Sequence, residues 1–125
     1  MNIDTQNSKI LIVDDTPTNL EILSNTLIDA KYQVAVALNG ESAIAQIKYK
    51  PPQLILLDVM MPGIDGFETC TRLKSDPETK EIPIIFMLNS FSLIIYNTSR
   101  YNQIIVTTID DLNHRCKAWL CRTKS

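Results

Sequence analysis

The sequence predicts one α/β domain built on a parallel sheet, and three observations predict it. The chain has 125 residues, within the ~100–150 of a common single domain. Its apolar runs are short and rich in β-branched residues, and stretches of helical periodicity separate them, the pattern of strand–helix–strand units. The first and third of those runs are nearly continuous rather than alternating. Strands of that kind are buried on both faces, as in a parallel sheet between two helical layers.

Lys9-Ile10-Leu11-Ile12-Val13 is the first strand. Thr16 then reads as an N-cap with Pro17 at the first helical position, and Leu20, Leu23, Leu27 and Ala30 recur at helical spacing, so a helix is predicted over about 17–30. Gln33 to Ala37 is the second strand. Asn39-Gly40 opens a second helix with Ala43, Ile44 and Ile47 on one face, ending before Pro51-Pro52. Leu54-Ile55-Leu56-Leu57 is the third strand, closing at Asp58. Phe67, Cys70, Thr71 and Lys74 lie at helical intervals over 66–74, and Ser75-Asp76-Pro77 caps or restarts a short helical turn. Ile84 to Met87 is the fourth strand. Right-handed crossovers make these strands parallel and bring their C-terminal ends to one edge, where chemistry sits in such sheets.

Beyond Leu88 two readings compete. Residues 103–109 form a fifth strand followed by an amphipathic helix over 110–122 using Leu112, Cys116, Trp119 and Leu120, or residues 91–96 and 103–109 pair as a hairpin. The segment 89–102 has the length of a helical crossover but is rich in Ser, Asn, Thr and β-branched residues, a poor helix composition.

Composition narrows the function. Hydrophobic residues make up 45% and charged residues 21%, the range of an ordinary globular protein, and no run approaches the ~18–20 apolar residues of a membrane span. The N-terminus carries neither the basic nor the apolar region of a secretory signal, so a cytoplasmic chain is expected. Net charge is −2, which lacks the basic footprint of direct nucleic-acid binding. Cys70, Cys116 and Cys121 are odd in number and have no C-x-x-C spacing, so reduced thiols are expected rather than a disulfide framework or a zinc site. The charge is uneven: residues 1–88 hold seven Lys/Arg against twelve Asp/Glu, residues 89–125 hold five against two, and no Gly or Pro follows Pro83.

The first strand runs into Asp14-Asp15 and the third into Asp58, so a parallel sheet brings three carboxylates to one edge. Two unit charges ~4 Å apart repel by roughly 4 kcal/mol at an effective dielectric near 20. Such a cluster calls for a cation or for protonation. Mg²⁺ suits it: a hard ion with oxygen ligands, held by one or two carboxylates plus a phosphate oxygen. The ion would screen an incoming phosphoryl group while one carboxylate attacks it. The competing ordinary role is structural, with Asp14 and Asp15 capping a helix and Asp58 ending a strand in a turn.

Ile10-Leu11-Ile12-Val13-Asp14-Asp15 and Leu56-Leu57-Asp58-Val59-Met60-Met61-Pro62-Gly63-Ile64-Asp65-Gly66, with the D-P-x-T-x-x-I-P-I-I segment from Asp76 to Ile85, closely resemble the receiver domain of two-component response regulators. The resemblance covers about residues 8–88 and leaves 89–125 as an atypical tail of one receiver-like domain, 1–125. It implies a flavodoxin-like doubly wound sheet in order 2-1-3-4-5. It also implies Asp58 as the residue phosphorylated from a phosphohistidine on a histidine kinase or phosphotransfer protein. Asp15, Asp58 and the Met60 carbonyl would bind Mg²⁺ directly, and Asp14 would act through a metal-bound water. Gly63 and Gly66 would shape the loop, and output would pass to a partner that the sequence does not identify.

The family's Ser or Thr at the end of the fourth strand and Lys at the end of the fifth are missing. Leu88, Asn89 and Ser90 stand at the first position, ungapped counting puts Asp110 at the second, and no lysine occurs between Lys80 and Lys117. The aromatic switch residue expected in the fifth strand is also absent from Ile105-Val106-Thr107. An impaired switch is expected. A degenerate receiver, a switch rearranged onto Ser90 and Lys117, and a tail unrelated to the domain through a reading-frame change each fit, and the abrupt change of character favours the last. Two rivals remain: a phosphorylation-independent pseudo-receiver that binds a partner, and an aspartate-nucleophile phosphatase, which Met60 disfavours by standing where that chemistry places a second carboxylate. His114 is expected at the surface and Trp119 in a packing face. The apolar runs of the tail are an aggregation hazard if they do not pack.

Overall fold

The computed structural model describes residues 8–87 in full and the backbone of two later strands, 92–97 and 101–108. Its elements are β1 (Lys9–Val13), α1 (Pro17–Asp29), β2 (Gln33–Ala37), α2 (Gly40–Tyr49), β3 (Leu54–Asp58), α3 (Gly66–Lys74), β4 (Ile84–Met87), β5 (Ser92–Asn97) and β6 (Tyr101–Thr108). One sheet holds all six strands in the order β2-β1-β3-β4-β5-β6. The first four are parallel, the doubly wound flavodoxin-like core that the sequence predicts, in its expected order.

Side chains alternate across these strands, and each face makes its own core. Ile10, Ile12, Leu54, Leu56, Ile85 and Met87 turn to one side, where Leu20, Leu23 and Leu27 of α1 close over them. Leu11, Val13, Ile55, Leu57, Ile84 and Phe86 turn to the other, under Ala43 and Ile47 of α2 and Cys70 and Leu73 of α3. Each fully buried Leu or Ile contributes about 1.5–3 kcal/mol, so the continuous apolar runs are what hold the sheet between its helical layers.

Two local expectations change. Thr16 occupies the N-cap of α1 but makes no side-chain cap bond. Its own N–H donates to Asp14 Oδ1 at 2.8 Å, a turn that fixes the chain entering the helix without satisfying any N–H of its first turn. In α3 the buried face runs through Gly66, Thr69, Cys70 and Leu73, not through Phe67, Thr71 and Lys74. Gly66 lies so close to β3 that a Cβ there would collide with the Asp58 carbonyl oxygen and come within 2.8 Å of Val59 Cα. That contact turns the Gly66 side of the helix inward. Phe67 is left 57% exposed, its ring against Phe86 with centroids 5.2 Å apart.

Between α3 and β4 the chain makes the expected turn. Asp76 Oδ1 accepts from Glu78 N–H at 2.9 Å, and the buried Thr79 hydroxyl donates to the Leu73 carbonyl at 2.6 Å. Lys74 ties the turn down, its Nζ donating to the carbonyls of Lys80 at 2.9 Å and Ile82 at 2.8 Å.

After β4 the structure takes the hairpin. β5 pairs antiparallel with β4, Ile84 opposite Tyr96 and Met87 opposite Leu93, and β6 pairs antiparallel with β5. The expected parallel fifth strand at 103–109 is therefore an outer hairpin strand, and the neighbour of β4 runs the other way. The link from Met87 to Ser92 is too short for the dozen or more residues of a parallel crossover. The predicted helix over 110–122, with Cys116, Trp119 and His114, and the positions Leu88, Ser90, Asp110 and Lys117 all lie outside the described residues.

Candidate functional site

Parallel pairing assembles the acidic edge from neighbouring strands. Val13 is in register with Leu57, so the residues that follow each of them, Asp14 and Asp58, emerge side by side at the C-terminal end of the sheet. Asp14 extends the β1–β2 ladder, its N–H donating to the Ala37 carbonyl at 3.1 Å, and Val59 N–H extends the β3–β4 ladder to the Met87 carbonyl at 3.3 Å. The backbone at both positions is thus fixed by the sheet. Asp14, Asp15 and Asp58 each place a carboxylate oxygen within 4.8 Å of the others.

Their surroundings differ. Asp14 is 2% exposed, with Oδ1 accepting from Thr16 N–H and Oδ2 from the Asn19 amide at 3.2 Å. Asp15 is exposed and Asp58 half-buried. Met60, 75% exposed, turns its N–H to Asp58 Oδ1 at 3.2 Å. With oxygens no more than 4.8 Å apart and an effective dielectric near 20, each carboxylate pair repels by at least about 3 kcal/mol. Burial, then the charge of Asp14, lifts the Asp58 carboxyl from 3.8 to about 6, with Asp15 adding to the rise and the Met60 N–H opposing it. Among the described residues, the ion pairs are Lys48–Asp76 and Arg72–Glu68, and neither reaches this cluster. Its excess negative charge and all-oxygen donor set fit a hard divalent cation.

The structure brings together Asp14, Asp15 and Asp58, with Met60 beside Asp58. Sequence reasoning missed Asn19, which holds the second oxygen of Asp14. The signal for it was an amide in the first turn of the helix that starts at Pro17, directly behind the Asp pair. Asp65 also gains a role, capping α3 through Oδ1 to Glu68 N–H at 2.8 Å. The loop it closes returns the chain to the site, where Gly66 N–H donates to the Val59 carbonyl at 3.0 Å.

Comparison with known proteins assigns the same stretch of chain to a family. The sequence matches the family model described as response regulator receiver domain over residues 10–93. It is 44% identical to the response regulator PleD of Caulobacter vibrioides over 80 residues, 64% of this chain but 18% of that protein. It is 39% identical to protein PilH of Pseudomonas aeruginosa over 80 residues, 64% of this chain and 66% of that one. The chain thus spans less than two thirds of the length of these relatives. Among solved structures, the N-terminal domain of a response regulator receiver protein from Methanoculleus marisnigri superposes with a TM-score of 0.63 at 38% identity, covering 64% of this chain and 65% of that one. With the parallel core, the acidic strand ends and the family match all falling on the same stretch of sequence, this chain belongs to the receiver domains of two-component response regulators.

Proposed function

We propose that the chain is a phosphoacceptor in a phosphorelay, taking a phosphoryl group onto Asp58 from a phosphohistidine of a histidine kinase or phosphotransfer protein. The observation that carries this reading is the convergence of three carboxylates at one end of adjacent parallel strands. Asp15, Asp58 and the Met60 carbonyl would hold Mg²⁺, and Asp14 would act through a metal-bound water, since protein donors already engage both its oxygens. When bound, the ion supplies positive charge that screens the carboxylates and the phosphoryl oxygens.

The chain's own residues do the rest. An Asp58 carboxylate oxygen attacks phosphorus, so that an O–P bond forms and the P–N bond breaks, its electron pair returning to the imidazole. The product is an acyl phosphate on Asp58. Met60 N–H orients the nucleophile through Oδ1, and the sheet ladders on either side hold the strand end still. In this reading residues 1–125 are one regulatory domain without turnover of its own. It works beside its kinase in the cytoplasm and contacts an output partner rather than nucleic acid.

The switch that follows phosphorylation is impaired in this proposal. The family's lysine acts from the end of the strand next to β4, but here that strand is antiparallel and brings its start, Ser92 and Leu93, to the acidic end. The strand that ends there is β6, with Thr108 opposite Ser92. It lies three strand spacings from β3, about 14 Å away at ~4.8 Å per spacing.

The test is a phosphorylation assay read by intact mass. Incubated with phosphoramidate or acetyl phosphate and Mg²⁺, the chain gains one phosphoryl mass, and Asp58→Asn does not. Equal masses for the two proteins would sink the phosphoacceptor reading. They would leave the pseudo-receiver, the interaction module favoured by the missing hydroxyl and lysine.

A further inference from the structure

The two edges of the sheet are not alike. At one end, β2 is five residues long, and Gln46 of α2 reaches over it, its Nε2 donating to the Val36 carbonyl at 3.1 Å. That edge is short and partly capped. At the other end, β6 runs for eight residues, Tyr101-Asn102-Gln103-Ile104-Ile105-Val106-Thr107-Thr108. Among the described residues, nothing pairs with its outer side.

An edge strand leaves the N–H and C=O of alternate residues pointing away from its sheet, an open template for another strand. Proteins usually guard such an edge with Lys, Pro, a bulge or a short length. β6 has no charged residue, no Pro and no Gly, and its one register irregularity falls at the hairpin end, opposite Tyr96 and Asn97. The run Ile104 to Thr108 is entirely β-branched, the composition that pairs best as strand.

We infer that β6 is a self-association edge, through which two copies of this chain pair antiparallel about a two-fold axis and join their six-stranded sheets into one. A second copy fits for two reasons. Identical strands are self-complementary when antiparallel about a two-fold axis, and an uncharged strand meets its own copy with no like charges opposed. The assembly also closes at two: the dimer uses both β6 edges, and the β2 edges left outside are short and carry the Gln46 cap. The inference stands on the hairpin and is independent of phosphorylation at Asp58.

The full chain is tested by sedimentation over a range of concentrations, and a monomer–dimer equilibrium is expected. Gln103→Lys/Thr107→Lys places charges along β6 without removing an apolar side chain and raises the dissociation constant at least tenfold. Val36→Lys on the opposite edge leaves it unchanged. Hydrogen exchange on the wild-type chain provides a readout free of any substitution. Amides of 101–108 become more protected as concentration rises, while those of 33–37 do not. A chain that stays monomeric, an association indifferent to the β6 charges in a variant that still folds, or exchange in 101–108 independent of concentration each overturns the inference. The first and third of those outcomes would fit an edge occupied by the chain's own residues 109–125 or kept for a different protein.

Discussion

Asp58 sits under two opposed demands: a nucleophile must be ionised, yet its burial and the Asp14 charge resist ionisation. Its folded-state carboxyl is raised from 3.8 to about 6, so the folded chain binds that proton more tightly than the unfolded one. Without a cation, stability contributed by this group therefore falls as pH rises from about 4 to about 6, and the penalty is complete above that window. Asp58→Asn removes it. In EDTA at pH 7 the variant is expected to gain on the order of 1 kcal/mol in urea unfolding, once solvent screening of a half-buried group is allowed for. At pH 2.8, below the values in both states, the carboxyl is almost wholly protonated folded or unfolded and the gain all but disappears. A gain of the same size at both pH values would show that charge is not its cause. Asp58 was legible in the sequence because it ends an apolar strand run, whereas Asn19 was not, since only the fold shows which oxygen its amide meets.

Among the elements, the helix N-termini divide by how they are capped. Asp65 Oδ1 accepts from Glu68 N–H and Asn39 Oδ1 from Ser42 N–H, both at 2.8 Å, while the Thr16 side chain makes no such bond. Asp65→Ala and Asn39→Ala should each cost about 1 kcal/mol in chemical denaturation, and Thr16→Ala should stay within about 0.5 kcal/mol of wild type. A Thr16→Ala loss equal to the other two would mean that the Thr16 hydroxyl does cap α1 in solution. The sequence marked Asn39-Gly40 as the opening of α2, and Asn39 caps it, whereas the cap of α3 by Asp65 was not singled out from the residues. At α1 the signal Thr-Pro marked the right position, but the Thr16 side chain makes no cap bond, and Asp14, held by the sheet, fixes the turn before the helix by accepting from Thr16 N–H. The inward face of α3 was likewise displaced by a contact outside the helix, the close approach of Gly66 to β3.

For the molecule as a whole, the acidic edge couples ligand to stability. A cation that binds only the folded chain stabilises it by about 1.4 kcal/mol at ten times its dissociation constant. Millimolar Mg²⁺ is therefore expected to raise the thermal midpoint at pH 7, EDTA to reverse the rise, and Asp15→Asn to abolish most of it. An unchanged midpoint in wild type would mean that the three carboxylates hold no magnesium. Among the described residues, no helix is long and apolar enough to cross a membrane. The hairpin was one of two readings open from the residues, because 91–96 and 103–109 are both β-prone. The structure takes it since the four-residue link from β4 permits only an antiparallel neighbour.

By itself the sequence determined the strands and helices from Lys9 to Met87 and the placing of three aspartates at strand ends. Periodicity, caps and strand composition act over a few neighbouring residues, and here they agree with one another. Tertiary structure alone decided that Val13 stands beside Leu57, so that Asp14 and Asp58 meet. It also decided how deeply each carboxylate is buried, and that the strand after β4 turns back on it. Those outcomes depend on contacts between residues far apart in the chain, where burial and charge are shared among several elements.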